Sequence, residues 1–101
     1  MENNKEKKSQ IEIKIDDEIA KGQYSNLIRV IHSQAEFIVD FINLSPGVKE
    51  TKVRSRIVVS PVHIKTFLNA LNDNVAKYEK KFGEIKVHSA IPKFNQDTLP
   101  N

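Results

Sequence analysis

Cysteine is absent from this chain of 101 residues. That excludes a disulfide framework and thiolate chemistry. Glycine occurs only three times, and nowhere as a phosphate-cradling loop or a glycine-lined oxyanion hole. No apolar run is long enough to span a membrane. Met1 is followed by Glu, Asn and Lys without an apolar stretch, so no signal peptide is expected. A cytoplasmic location and no membrane association are the corresponding expectations. A strong charge of one sign is missing as well. The net charge is +3, from 16 Lys/Arg against 13 Asp/Glu. Residues 1–9, 10–85 and 86–101 each carry a surplus of one positive charge. The basic balance is thus spread along the chain, and any functional charge must be a local pattern.

What is present fits one domain. Residues 1–9 have almost nothing to bury and are expected to be a disordered, charged N-terminal tail. The folded domain is expected over 10–85, and residues 86–101, with Pro92 and Pro100, are expected to be a mostly flexible C-terminal tail. Residues 10–16 alternate Ile11, Ile13 and Ile15 with charged side chains, the period-2 pattern of a strand with one wet face. An acidic run at Asp16–Glu18 and a turn at Gly22 follow. Residues 24–32 and 37–44 are β-rich with apolar groups on both faces. Between them, Ser33 to Glu36 has the form of a capping box and predicts one helical turn. Ser45-Pro46-Gly47 predicts a turn. Residues 51–59 predict a fourth strand, with Val53, Ile57 and Val59 alternating with Lys52, Arg54 and Arg56.

The strongest local signal is a helix over Pro61 to Phe82. Ser60 suits the N-cap, Pro61 the first helical position, and Val59 with Ile64 a hydrophobic staple. Ile64, Phe67, Leu68, Leu71, Val75, Tyr78 and Phe82 repeat at helical spacing on one face. Lys80 and Lys81 complement the dipole at the C-terminal end, and Gly83 is a helix stop.

Asn26, His32-Ser33, Glu36-Phe37, Asp40-Phe41, Arg56, Ser60-Pro61, His63, Lys65, Asn74, Tyr78-Glu79 and Phe82-Gly83 together resemble a bacterial family of uncharacterised proteins, the domain of unknown function 3467 (DUF3467). The resemblance spans Tyr24 to Ile85. It implies a small antiparallel sheet followed by a helix and supplies no reaction, ligand or partner.

Two groups of residues carry candidate function. Lys52, Arg54 and Arg56, widened by Arg29 and Lys49, predict a basic ridge about 13 Å long on one strand face. Such a ridge can grip phosphates; the bland alternative is a solvated face balanced by Glu36, Asp40 and Glu50. No aromatic side chains interleave the ridge as base stacking would require. The second group is apolar. If Phe37, Val39 and Phe41 lie under the helix, Ile38 and Ile42 point away from it, and on the preceding strand Leu27 and Ile31, or their opposite set, do so as well. They form a candidate self-association surface, for which a two-fold dimer is the commonest form. The competing expectation is that the terminal segments cover that face. His32, His63 and His88 lack metal-ligand spacing. Ser33, His32 and Asp40 make a triad only on paper. Tyr78 and Asn74 are expected to serve architecture, Asn74 through a loop carbonyl.

The expected fold is α+β: a four-stranded, mainly antiparallel sheet with one long C-terminal amphipathic helix packed on one face. This layout is similar in architecture to bacterial export chaperones of the SecB type, without a shared motif. The expected function is a non-enzymatic, self-associating interaction module, a homo-oligomer with a chaperone-like or scaffold role and room for a protein partner. The alternative is a nucleic-acid-binding accessory protein using the basic strand face. No cofactor and no metal is expected.

Overall fold

The computed structural model describes residues 10–88. The N-terminal tail expected over 1–9, and the part of the C-terminal tail from 89 onwards with Ile91 and Phe94, lie outside the described residues. Five elements follow in order. They are a one-turn helix α1 (Asp17–Ala20), strands β1 (Leu27–His32), β2 (Phe37–Ile42) and β3 (Val53–Val59), and helix α2 (Pro61–Phe82). The chain is α+β, with an antiparallel sheet in the order β1-β2-β3.

The sheet has three strands, not four. Residues 10–16 have no regular structure, and Ile13 is 91% exposed. Period 2 states what a strand would bury; it does not supply the neighbouring strand whose backbone must complete the ladder. The three remaining strands form where expected, trimmed by up to three residues at an end. The segment joining β1 to β2 is a tight bend and not a helical turn. Ser33 N–H donates to the Glu36 carbonyl (2.9 Å), and Ser33 Oγ accepts from the N–H groups of Ala35 and Glu36, both at 3.3 Å. The serine caps a hairpin loop, because β2 starts at the next residue. Pro46-Gly47 forms the expected turn, with Gly47 at φ 78°.

Pairing fixes two faces. Val39 stands between Val30 and Ile57, and Phe41 between Ile28 and Ser55. These residues and Phe37 form face A. Asp40 stands between Arg29 and Arg56, and Ile38 between Ile31 and Val58. These form face B. A bulge opposite Phe41/Ile42 adds a residue to β3 near Arg54.

Helix α2 has the expected bounds. The Ser60 side chain accepts the His63 N–H (3.2 Å), and Gly83 ends the helix with φ 100°. One residue, Ser60, separates β3 from α2. Ile64, Phe67, Leu68 and Leu71 face Ile28, Val30, Phe37, Val39 and Phe41 across an open apolar cavity of about 400 Å³. The helix therefore lies over face A, but it is not packed down on it. None of its residues is buried, and Phe67, Leu68, Leu71 and Tyr78 are half-exposed. Tyr78 stacks obliquely on Phe82 at 5.0 Å, and Asn74 bonds its own helix carbonyl at Ala70 (3.1 Å), not a loop carbonyl. Among the described residues no helix is long and apolar enough to cross a membrane.

Because the Ser60 hydroxyl is the side-chain cap of a helix with little tertiary cover, Ser60→Ala should cost about 1 kcal/mol. Thermal unfolding followed by circular dichroism measures it; an unchanged midpoint would show that the cap contributes nothing.

Candidate functional site

The sequence pattern places Lys52, Arg54 and Arg56, widened by Arg29 and Lys49, on one surface. The structure divides them. Asp40, at the middle of the central strand, is fully buried (0% exposed). Arg29, its cross-strand neighbour on β1, donates from Nε and Nη2 to Asp40 Oδ2 at 3.1 and 2.7 Å. Arg56, its neighbour on β3, donates from Nε to Oδ1 at 2.7 Å and from Nη2 to Oδ2 at 2.9 Å. Four charge-assisted bonds thus converge on one carboxylate. Charge-assisted bonds of this kind are the strong ones.

The guanidiniums keep contact with water, with the Arg29 and Arg56 side chains 29% and 47% exposed. The carboxylate beneath them does not. The Arg56 hydrogen bond holds the Asp40 carboxyl below the usual carboxylate range. Burial opposes that effect, and the Arg29 bond and the attraction of both guanidiniums reinforce it. The same contact raises the pKa of Arg56. The three side chains together carry one net positive charge.

Arg54 leaves this group. The bulge turns it to line a cavity of about 430 Å³ with Ile19, Tyr24, Phe41 and Ile57, on the face A side. Lys52 precedes β3 and is exposed. Lys49 lies in the loop after β2, where it lines a cavity of about 660 Å³ with Arg29, Leu44 and Val48. The continuous ridge expected from strict alternation is not formed. One member is deflected by the bulge, and two are committed to an internal carboxylate.

The four apolar residues proposed for self-association also changed standing. Ile31 and Ile42 are buried within the chain, and Leu27 and Ile38 are partly buried. Most of the exposed apolar surface of the sheet and helix lies on the other side. It includes Ile28, Val30 and Ile57 on face A and the stripe from Phe67 to Phe82 on α2, while face B exposes Val53 and Val58 at the β3 edge. Sequence patterning showed that both faces of the sheet were apolar. It could not show which one the chain would cover for itself.

The histidines are dispersed. His32 ends β1 with its ring 5.4 Å from Phe37, and His63 Nδ1 is 3.0 Å from Ser60 Oγ in the first turn of α2. Asp40 is on face B with its oxygens occupied by arginines, so Ser33, His32 and Asp40 are not brought together as a triad. Among the described residues no group of three or more His, Asp or Glu is placed to hold a metal ion.

Asn26 has a structural role that no local sequence pattern reveals. Its carboxamide donates to the Leu44 carbonyl (2.9 Å) and accepts from the Leu44 N–H (2.8 Å), so a side chain imitates a strand peptide and prolongs the β1–β2 ladder. Ser25 Oγ accepts from the Ile42 N–H at 3.1 Å and lies 2.9 Å from the Ile42 carbonyl, to which it can donate. Both residues hold the end of β1 against β2.

The family model described as "Protein of unknown function (DUF3467)" matches residues 1–87, taking in the N-terminal stretch before Tyr24. No curated protein and no solved structure matches the chain.

Asp40→Asn keeps the shape of the side chain and removes its charge. It should destabilise the fold by about 2 kcal/mol, as expected for losing hydrogen bonds to charged partners. The depressed pKa sets the pH dependence. The carboxylate's contribution is complete above the unfolded value of about 3.9. It declines as pH falls through that value and is gone below the folded pKa. Urea unfolding of wild type and variant from pH 7 down to pH 2 checks this. The gap between them should narrow on acidification, and a constant gap would sink the assignment.

Proposed function

The chain belongs to the DUF3467 family, and from that premise we propose that it is a non-enzymatic, self-associating interaction module that forms a two-fold dimer through face A and helix α2. One observation carries this reading: the apolar stripe of α2 and the outer-strand residues opposite it, Ile28, Val30 and Ile57, are left about half in water, while Val39 between them is buried. The candidate surface accordingly moves from Leu27, Ile31, Ile38 and Ile42 to Ile28, Val30, Ile57, Phe67, Leu68, Leu71, Val75, Tyr78 and Phe82.

Magnitudes favour a partner. Burying a large apolar side chain completely stabilises by about 1.5–3 kcal/mol. Each half-wet residue thus forgoes about 1 kcal/mol, and the set together forgoes an amount comparable with the stability of a whole small domain. At roughly 80 Å² of exposed surface each, these side chains offer about 700 Å². A stable interface needs about 800 Å² per partner.

Shape favours a second copy as that partner. Helix α2 is about 33 Å long, and strands of six or seven residues are about 20 Å. Val75, Tyr78 and Phe82, in the distal half of the helix, do not line the cavity between α2 and the sheet. The chain therefore carries a projecting apolar ridge and an open apolar groove of matching chemistry. An isologous pair places each ridge in the other's groove and closes without exposing a new surface. A chaperone-like or scaffold role would use the outer surfaces of that dimer. The nucleic-acid alternative is weakened by the commitment of Arg29 and Arg56 to Asp40.

Size-exclusion chromatography with light scattering tests the reading. Wild type should have twice the chain mass of 11.5 kDa. Leu71→Glu should give a folded species of single-chain mass, since Leu71 is half-exposed and its replacement disturbs little within the chain. A wild type that remains a single chain at the highest concentration reached would rule the module out.

A further inference from the structure

Residues 10–16 carry the pattern of a strand without a partner, and the sheet has outer edges without one. The segment QIEIKID alternates three isoleucines with Glu12, Lys14 and Asp16, and every residue in it is exposed. β-branched residues at period 2 favour extended chain that packs one face. Three isoleucines in water are costly on their own. The sheet order β1-β2-β3 leaves β3 as an outer strand, and an outer strand presents a row of unpaired backbone groups to any strand that can reach it.

We infer that residues 10–16 of one chain add to the outer edge of β3 in a second copy, completing a four-stranded antiparallel sheet by reciprocal strand exchange. This rests on the self-association described above and says how the two copies are laced together.

Three features select β3 as the acceptor. The first is length: residues 13–16 cover Arg56–Val59, the stretch of β3 beyond the bulge. The second is charge. β3 contains Arg54 and Arg56 and no carboxylate, and the segment contributes Glu12 and Asp16. Arg54 makes no ion pair among the described residues, and Arg56 keeps its side chain 47% exposed while gripping Asp40. The third is parity. In the antiparallel register that sets Asp16 beside Arg56, Ile15 falls beside Ile57 and Ile13 beside Val59. The isoleucines then extend apolar face A, and the charged side chains extend face B with its arginine–aspartate cluster. A shift of one residue would put isoleucines beside Arg56 and charges beside Ile57, so the pattern selects its own register. Within one chain the pairing is not made, although Ile19 of α1, which follows the segment directly, lines a cavity together with Arg54, Ser55 and Ile57 of β3. A second copy supplies the free edge.

The absence of native cysteine makes disulfide trapping unambiguous. Full-length chain carrying Val58→Cys is mixed with full-length chain carrying Lys14→Cys or, for the register displaced by two residues, Glu12→Cys, and each mixture is oxidised after subunit exchange. The expected result is a Lys14/Val58 mixed disulfide in most of the mixed dimers. Hydrogen exchange on the untreated wild type should show slowed amides in both 10–16 and β3. A dimer by light scattering that gives no mixed disulfide with either partner, and fast-exchanging amides in 10–16, would overturn the strand exchange while leaving the dimer intact. A disulfide formed only inside a chain carrying both Lys14→Cys and Val58→Cys would overturn it too. A chain that is monomeric throughout would remove the parent reading along with it.

Discussion

One carboxylate in the central strand governs the register of the sheet. Arg29, Asp40 and Arg56 are direct cross-strand neighbours, so the two ion pairs run laterally and join all three strands at one level. A slip of one residue in either pairing would put an arginine on face A and leave the buried Asp40 without it. That error costs far more than the pair itself gains, because a buried charge is tolerable only when partnered. The cluster is better understood as a register pin than as a source of stability. Its guanidiniums remain partly hydrated, which limits the gain, but its geometry admits one alignment.

From that alignment the rest of the molecule follows. With Asp40 on face B, Phe37, Val39 and Phe41 must all point to face A, where they meet Ile28, Val30 and Ile57. Face B keeps a charged centre capped by the arginine side chains and flanked by Ile31 and Ile42, which are buried. Face A keeps no polar centre, so it is the face α2 covers. The basic ridge that alternation suggested was a projection of β3 taken alone; the neighbouring strand turned its most central cation inward and the bulge turned another aside. A cation's availability is a property of the sheet, and the sheet is where the sequence is least local.

The parts of the fold that were legible are those whose determinants lie close together in the chain. The bounds of α2 could be read to the residue because Ser60, Pro61 and Gly83 act within one turn of themselves. The Pro46-Gly47 turn and the central parts of β1, β2 and β3 were legible for the same reason. The status of residues 10–16 was not, since an alternating pattern records a preference whose fulfilment depends on an edge elsewhere. The cross-strand grip on Asp40, the peptide-like pairing of Asn26 with Leu44 and the choice of covered face all depend on partners 11 to 18 residues away. Each was unreadable until the strands were paired.

The join between β3 and α2 decides what the helix can do. Ser60 alone separates the two elements, and its side chain and the proline ring after it hold the turn in one geometry. A helix so tethered cannot slide along the sheet to find better cover. It leaves β3 at a set angle, passes over face A with its first turns and continues beyond. Its apolar stripe nevertheless runs to Phe82, with the same spacing in the distal half as over the sheet. A stripe that served only the chain's own sheet would end near Leu71. Its continuation to Val75, Tyr78 and Phe82 places apolar side chains where nothing among the described residues covers them, and that uncovered half of the stripe is what the self-association proposed above would bury.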